Sequence, residues 1–394
     1  MEALKEINLI ENKNIAIVGG GPGGLTLARL LQLKGANVKV YERDENRHTR
    51  LQGATLDLHF ESGLKAIEAA GLLDAFKANY RPENDKYRVV DQNGIIFYDD
   101  HEKESSADFG DEWFRPEIDR GPLRDILLDS LEPETVVWDS HIVSLENNDN
   151  VWKIIFKNGN TVNADIIIGA DGANSKIRPF VTSIKPVYSG VTYIVGNTEN
   201  LEKNTPRINN LLKGGKISAM ADSKTLFLSA KGDGSLDFYI GWKTDEDWAE
   251  KSGIDFKNSQ QVLAWFKEEF KNWDAIWDEL FTENETYFVP RPLYGMPFDQ
   301  NWETQSNITL LGDAAHLLPP NGEGVNMAML DALELCEVLT NGKFADVKSA
   351  IAAYEKEMFE RFVEEEKVTA DFMDFMYSPK GLEMMVGMFH ELPN

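Results

Sequence analysis

Three short turns built of glycine and aspartate hold the residue types best suited to chemistry in this chain. Gly19-x-Gly21-x-x-Gly24 follows the apolar run Ile15 to Val18 and opens Leu25 to Lys34, whose apolar residues recur at helical spacing. Val38 to Tyr41 then reads as a second strand, completing a βαβ unit. In such a unit Gly19 makes the tight turn, Gly21 lets backbone approach a pyrophosphate, and Gly24 lets helix and strand pack closely. The helix N-terminus offers free N–H groups and positive dipole to phosphates. Glu42 ends the next strand, where its carboxylate can accept ribose hydroxyls. Alone, this pattern says dinucleotide, and an NAD-dependent dehydrogenase would share it. Ile166 to Ile168 leads into a second turn at Asp171-Gly172, and Ile308 to Leu311 into a third at Gly312-Asp313. The three turns are spread over about three hundred residues of chain, so if they serve one ligand they must meet at the carboxyl edge of one sheet.

The second and third turns carry a resemblance. Asp165-Ile166-Ile167-Ile168-Gly169-Ala170-Asp171-Gly172-Ala173-Asn174-Ser175-Lys176-Ile177-Arg178 resembles the Asp-Gly fingerprint of the flavoprotein aromatic hydroxylases, and Leu311-Gly312-Asp313-Ala314-Ala315-His316 resembles their Gly-Asp motif. The resemblance implies bound FAD, with Asp313 on the ribityl hydroxyls and Arg178 serving both FAD and a passing NADPH or NADH. It also makes Arg120 a brace on the flavin from a helix start. A single GxGxxG fits a family whose nicotinamide coenzyme has no Rossmann domain of its own. Pro320, Gly322, Gly324, Val325 and Asn326 lie in the loop and helix start that follow. A helix N-terminus aimed at the flavin pyrimidine would stabilise the negative charge that reduced flavin gathers. Arg124, one turn after Arg120, reads as a partner in a surface salt bridge.

A narrower likeness runs nearly end to end. Val40-Tyr41-Glu42-Arg43-Asp44, Ala54-Thr55-Leu56-Asp57-Leu58-His59, Gly71-Leu72-Leu73, Gly342-Lys343-Phe344 and Tyr354-Glu355-Lys356-Glu357-Met358-Phe359 look like the tetracycline-inactivating flavin monooxygenases, the Tet(X) type. The match implies Glu42 and Arg43 at the cofactor, Asp57 near the isoalloxazine and Arg50 near the nicotinamide entry. It has Phe227, Phe372 and Met376 lining a substrate cavity. Those enzymes grip tetracycline with a glutamine, an arginine and a histidine from the substrate sheet. Strand pairing puts Val195, Lys216 and Asp237 there, and Tyr239 where they have glycine. Tetracycline or a related polyketide is the leading named substrate, but lost hydrogen-bonding anchors change specificity by orders of magnitude, so tetracycline itself is expected to be turned over poorly.

The chemistry implied by the family is borne by the cofactor. Reduced flavin takes up O2, and its C4a-hydroperoxide hydroxylates a planar, electron-rich enol or phenol ring. The protein then needs no nucleophile, only positioning and exclusion of water. His59 and His316 are tempting bases, but His316 in this motif supports the Gly-Asp turn, and neither is assigned catalysis. A flavin oxidase or dehydrogenase without oxygen transfer is the competing enzyme class.

The elements that must position these residues read as an α/β chain. A Rossmann-type FAD-binding domain is expected at 1–75, 108–182 and 285–362. An inserted, mainly antiparallel substrate domain occupies 76–107 and 183–284, and a bridging C-terminal helix 363–394. The insert alternates polar and apolar residues, as in Leu236-Asp237-Phe238-Tyr239-Ile240-Gly241-Trp242, which fits antiparallel sheet with one face on a core. Arg88 to Tyr98 adds an earlier hairpin, and Ala345 to Met376 a long helix. Forty basic against sixty-six acidic side chains give a net charge of −26, which repels nucleic acid and anionic membrane surfaces. The lone Cys336 sits in a helical pattern and reads as a buried structural thiol. No Cys/His cluster suggests a metal, and no apolar run approaches a membrane span. A cytoplasmic monomer acting on a small planar substrate is the expectation.

Overall fold

Asn14–Val18 (β1), Pro22–Leu33 (α1) and Asn37–Tyr41 (β2) form the expected βαβ unit, with Pro22 in the first turn of α1, where its missing N–H costs nothing. Leu56–Asp57 (β3), Tyr87–Val90 (β4), Ile96–Asp99 (β5) and Glu117–Ile118 (β6) follow. Arg120–Asp129 (α2) leads to Val136–Val137 (β7), then to Ile142–Asn148 (β8), Val151–Phe156 (β9) and Thr161–Ala164 (β10). Ile166–Gly169 (β11) returns to the first layer, and Val187–Thr198 (β12), Lys216–Ala221 (β13), Lys224–Ala230 (β14), Leu236–Lys243 (β15) and Thr286–Gly295 (β16) build the second. Ile308–Leu310 (β17), Gly324–Thr340 (α3), Val347–Met376 (α4) and Gly381–Glu391 (α5) complete the chain. This computed structural model describes residues 8–49, 55–82, 84–103, 108–148, 150–281 and 286–391. Arg50, expected at the nicotinamide entry, lies outside the described residues.

The first layer is a five-stranded parallel sheet in the order β17-β11-β1-β2-β7. β11 and β1 are near-continuous apolar runs because helices and a small antiparallel sheet (β10-β9-β8) cover both faces. The carboxyl ends of β1, β11 and β17 are adjacent, so the three glycine-aspartate turns meet at one edge, as the separate motifs required.

The second layer is a seven-stranded sheet in the order β16-β12-β15-β14-β13-β4-β5, antiparallel except where β4 joins β13. Its period-two alternation separates two faces. Ile194, Leu226, Leu228, Phe238, Ile240 and Trp242 pack outward onto Val262, Phe266, Phe270 and Trp277. The opposite face carries Tyr193, Val195, Met220, Phe227 and Tyr239, which meet Phe372, Met373, Met376 and Tyr377.

α4 spans both layers. It starts in a capping box between Asp346 and Ser349 and buries Ala350, Tyr354 and Met358 in the core of the first layer. The Tyr354 hydroxyl donates to the Leu310 carbonyl at 2.9 Å. Its last turns reach the second sheet. The C-terminal element expected from 363 is thus the second half of a helix that begins at Val347, followed after a break by α5. The 3.6-residue apolar period runs unbroken through 363, which is why the helix does too. Among the described residues no helix is long and apolar enough to cross a membrane.

Candidate active site

The first turn shows what each glycine is for. Gly19 adopts φ +112°, and a Cβ there would lie 2.3 Å from the Ala170 carbonyl oxygen. A Cβ on Gly24 would lie 2.2 Å from the Gly19 carbonyl oxygen. Gly21 differs: its Cβ position has nothing within 4 Å, which leaves the backbone open to a close ligand. Glu42 is buried and holds the loop, accepting from Gly20 N at 2.7 Å and Asp44 N at 3.0 Å. Each carboxylate oxygen thus takes one backbone N–H of the loop. Arg43 is exposed beside it.

Arg124 corrects the expectation of a surface salt bridge. It is buried on the inward side of α2, donating to the Arg47 carbonyl at 3.0 Å and the Gly20 carbonyl at 3.4 Å, with Asp44 Oδ2 at 3.3 Å. Arg124 thus pins this loop; it lies on the same helix face as Arg120, four residues earlier, but the loop covers Arg124 while Arg120, at the helix start, is exposed.

The second and third turns are tied to each other. Asp171 accepts from the Ser175 hydroxyl at 2.5 Å and Lys176 N at 2.6 Å; burial raises its pKa against those bonds. Arg178 is buried and donates to the carbonyls of Ala314 at 2.7 Å, Asp313 at 2.7 Å and Ala173 at 3.0 Å. Burial lowers the pKa of this guanidinium, against the charges of Asp171 and Asp313, and each of its nitrogens donates to a backbone carbonyl. It acts as a strap between the Asp-Gly and Gly-Asp turns. His316 does support its turn: its Nε2 is 2.6 Å from Asp331 Oδ2, which also accepts from Gly312 N at 2.8 Å. Arg361 of α4 completes this buried knot at 2.7 Å from Asp331 Oδ1. Asp331 and Arg361 escaped the sequence reading because nothing in a helical acid or base signals a distant turn.

Asp313 is reachable by solvent yet sits deep among protein atoms, and that burial raises its carboxyl pKa, opposed by His316, Arg120 and Arg178. Arg120 opposes the same effect of burial on Asp237 of the second sheet, so its charge reaches both layers. Gly324, at the start of α3, would place a Cβ 3.8 Å from Asp313 Oδ1, so the loop holding Pro320, Gly322 and Val325 closes on the Gly-Asp turn. The backbone opening at Gly21 and the solvent-reachable carboxylate of Asp313 are what the pyrophosphate and ribityl parts of FAD need. Gly172 likewise has nothing within 4 Å of its Cβ position. The residues present fit the cofactor.

A second knot joins β3 to α3. His59 Nε2 lies 2.9 Å from Asp57 Oδ2 and its Nδ1 3.1 Å from Glu323 Oε1. Burial works against charge on this ring, but both carboxylates outweigh it and hold the pKa at about 9. Burial pushes Asp57 up, and the His59 hydrogen bond with the Lys216 charge more than reverses it. Asn326 is wholly buried and its side chain is committed to β3, accepting from His59 N at 2.9 Å and donating to the Asp57 carbonyl at 3.0 Å. Any flavin contact from Asn326 would therefore come from its backbone.

The sheet face above this cleft holds the residues expected to meet substrate. Val195 pairs with Tyr239, and Tyr239 with Phe227, in one row across β12, β15 and β14. Met376 is buried against that face and Phe372 half-buried beside it. Lys216 and Asp237 occupy the next row but have protein partners. Lys216 forms an ion pair with buried Glu117 of β6, and Asp237 accepts from Asn197 Nδ2 at 2.7 Å with Lys231 at 3.8 Å. Residue type alone could not separate a free anchor from a paired one.

The sequence reading missed further residues of this face and of the α4 end packed on it. Tyr193 pairs its hydroxyl with Tyr377, which in turn meets Thr225 at 3.2 Å, and burial pushes the Tyr193 phenol up to about 12. Met220 and Met373 add to the apolar wall. Arg291 of β16 lies opposite Tyr193 in register and so shares its face. It is exposed, and among the described residues no carboxylate pairs with it. The alternation of β16 would have found it had the strand been traced through Pro290 and Pro292.

The comparisons agree with this geometry. The monooxygenase penA of Penicillium thymicola is 27% identical over 94% of this chain and 97% of its own length. The 6-hydroxynicotinate 3-monooxygenase of Pseudomonas fluorescens is 26% identical over 92% and 91%. The crystal structure of the tetracycline destructase Tet(55) superposes with a TM-score of 0.70 over 93% of this chain and 89% of that one, at 21% identity, a likeness of fold. The Tet(X) resemblance thus stands as shared architecture, while relatives with other names match the sequence. A model described as FAD binding domain, FAD_binding_3, matches residues 12–252 and 297–361. With three glycine-aspartate turns meeting at one edge of its parallel sheet, the chain belongs to this FAD-binding family and is an FAD-dependent monooxygenase.

Proposed function

We propose that the chain hydroxylates a planar, electron-rich enol or phenol ring, using FAD, NADPH or NADH, and O2. The observation that supports this reading best is the row Val195, Tyr239 and Phe227 on the face that also carries the α4 end. Bound FAD, once reduced, activates O2 and supplies the oxygen atom that the ring gains. Everything else falls to the chain. Gly21 and the start of α1 receive the pyrophosphate, Asp313 the ribityl hydroxyls, and Asp57 with the start of α3 flanks the isoalloxazine. The aromatic row stacks on a flat ring, and Met220, Met373 and Met376 shut water out at the far end. Arg291 offers an unpaired cation to an anionic ring substituent at the margin of the cleft. Nicotinamide enters transiently, with no domain of its own.

Within this reading residues 76–107 and 183–284 act as the substrate domain and 1–75, 108–182 and 285–362 as the cofactor domain. Tetracycline fits poorly, because Tyr239 takes up room and Lys216 and Asp237 are engaged with Glu117 and Asn197. The test is NADPH and NADH oxidation with product mass for tetracycline beside a panel of phenols, hydroxypyridine carboxylates and aromatic polyketides. A ring product heavier by one oxygen supports the proposal. Nicotinamide oxidation without any oxygenated product favours an oxidase, and efficient oxygenation of tetracycline refutes the account of the anchors.

A further inference from the structure

His59 touches carboxylates from two separate elements, Asp57 of β3 and Glu323 at the start of α3, through its two ring nitrogens. A neutral imidazole has one N–H and one lone pair, and a carboxylate only accepts. Facing two carboxylates, the neutral ring would leave one contact lone pair against lone pair, so only the imidazolium satisfies both. The backbone closes the same joint a second time, through His59 N to Asn326 Oδ1 and Asn326 Nδ2 to the Asp57 carbonyl. Gly63 packs so tightly there that a Cβ would lie 2.5 Å from Asn326 Oδ1.

We infer that His59 is a positioning residue whose doubly protonated ring holds the Asp57 strand and the N-terminus of α3 in one relation, so that the flavin cradle is fully assembled only while that charge persists. The inference rests on the reading that Asp57 and the α3 start flank the isoalloxazine. The groups facing the joint are Asp57 on its own segment, Glu323 on the α3 start and Glu365 on α4, with Lys216 of β13 acting on Asp57. All the nearest partners of His59 are acids, which is the arrangement that retains a proton. The ring's pKa is raised from 6.5 to about 9. Its contribution is therefore fully present below the ordinary histidine value and is lost as pH rises through about 9.

The experiment titrates FAD into apoprotein from pH 6.5 to 10 and reads the dissociation constant by flavin fluorescence. In the unaltered protein the constant should be flat to about pH 8 and then rise about tenfold, the worth of one charge-assisted hydrogen bond. His59→Gln should bind about tenfold more weakly at neutral pH and lose the alkaline rise. Glu323→Gln leaves a neutral ring satisfied, because the amide can donate to it, and should keep neutral-pH affinity while abolishing the alkaline rise. Thermal unfolding of each apoprotein over the same pH range separates folding from cradle assembly. An alkaline rise that persists in His59→Gln, or a pH effect confined to apoprotein stability, overturns the inference. Asp57→Ala tests the underlying reading by itself: unchanged FAD affinity and flavin potential there would remove Asp57 from the flavin and the inference with it.

Discussion

The two halves of the cleft are built on opposite terms. On the nucleotide side, function is held by backbone: Gly19 and Gly24 allow contacts that no side chain permits, and Arg178 straps two turns through three carbonyls. On the sheet side, function is held by side chains whose partners come from distant strands. Lys216 and Asp237 look like free anchors in sequence and prove to be engaged, whereas Arg291, unremarked in sequence, shares the face of Tyr193 and has no carboxylate partner among the described residues. Backbone demands leave a local signature because few residues meet them. Side-chain availability leaves none, because it depends on who else arrives.

The largest test of this contrast is Gly24→Ala. A methyl group 2.2 Å from the Gly19 carbonyl cannot be accommodated by side-chain motion, so the turn must open. Purified protein should lose FAD, seen as loss of yellow colour, and unfold several degrees lower, in line with the ~2–4 kcal/mol cost of strained or overpacked sites. Retention of FAD at the level of the unaltered protein would show that the first turn is not governed by close backbone approach.

Next in size is Lys216→Met. If Lys216 serves Glu117 rather than substrate, its loss strands a carboxylate that is only 4% exposed, and stability should fall by about 3–5 kcal/mol. The double change Lys216→Met with Glu117→Leu should recover most of that loss. A stable single variant with a raised KM would restore Lys216 as a substrate anchor.

Arg291→Ala probes the other side of the comparison. KM for anionic ring substrates should rise about tenfold, kcat should hold, and the neutral methyl esters should be unaffected, as expected for one exposed charge-assisted contact. Equal effects on acids and esters would reduce Arg291 to a solvated edge charge.

The smallest effect is expected at Cys336. Burial pushes its thiol up to about 11, so alkylating reagents at pH 8 should leave it unmodified in folded protein, and Cys336→Ser should leave turnover unchanged. Rapid modification would show that α3 opens in solution.

Legibility followed the same divide. The βαβ unit, the convergence of three turns, the β4-β5 hairpin and the support of the Gly-Asp turn by His316 could all be read from residue types in order. Arg124 could not, since the side of α2 it faces depends on the loop packed there, and its inward bonds to Gly20 and Arg47 replaced an expected surface pair. His59 was visible as a candidate base, but its link to Glu323 joins residues far apart in sequence.

What the sequence determined by itself was a dinucleotide site and the class of fold, with FAD implied by the resemblance of the second and third turns, because phosphate approach and tight turns demand glycine at fixed spacing and sheet alternation shows at once which residues share a face. What only the tertiary structure decided was which charges are spent and which remain. Glu117 reaches Lys216 from β6, Asn197 reaches Asp237 across β12, and no described acid reaches Arg291. Burying a charge demands a partner, and the identity of that partner is set by how separate strands and helices are brought together in space, which no local pattern encodes.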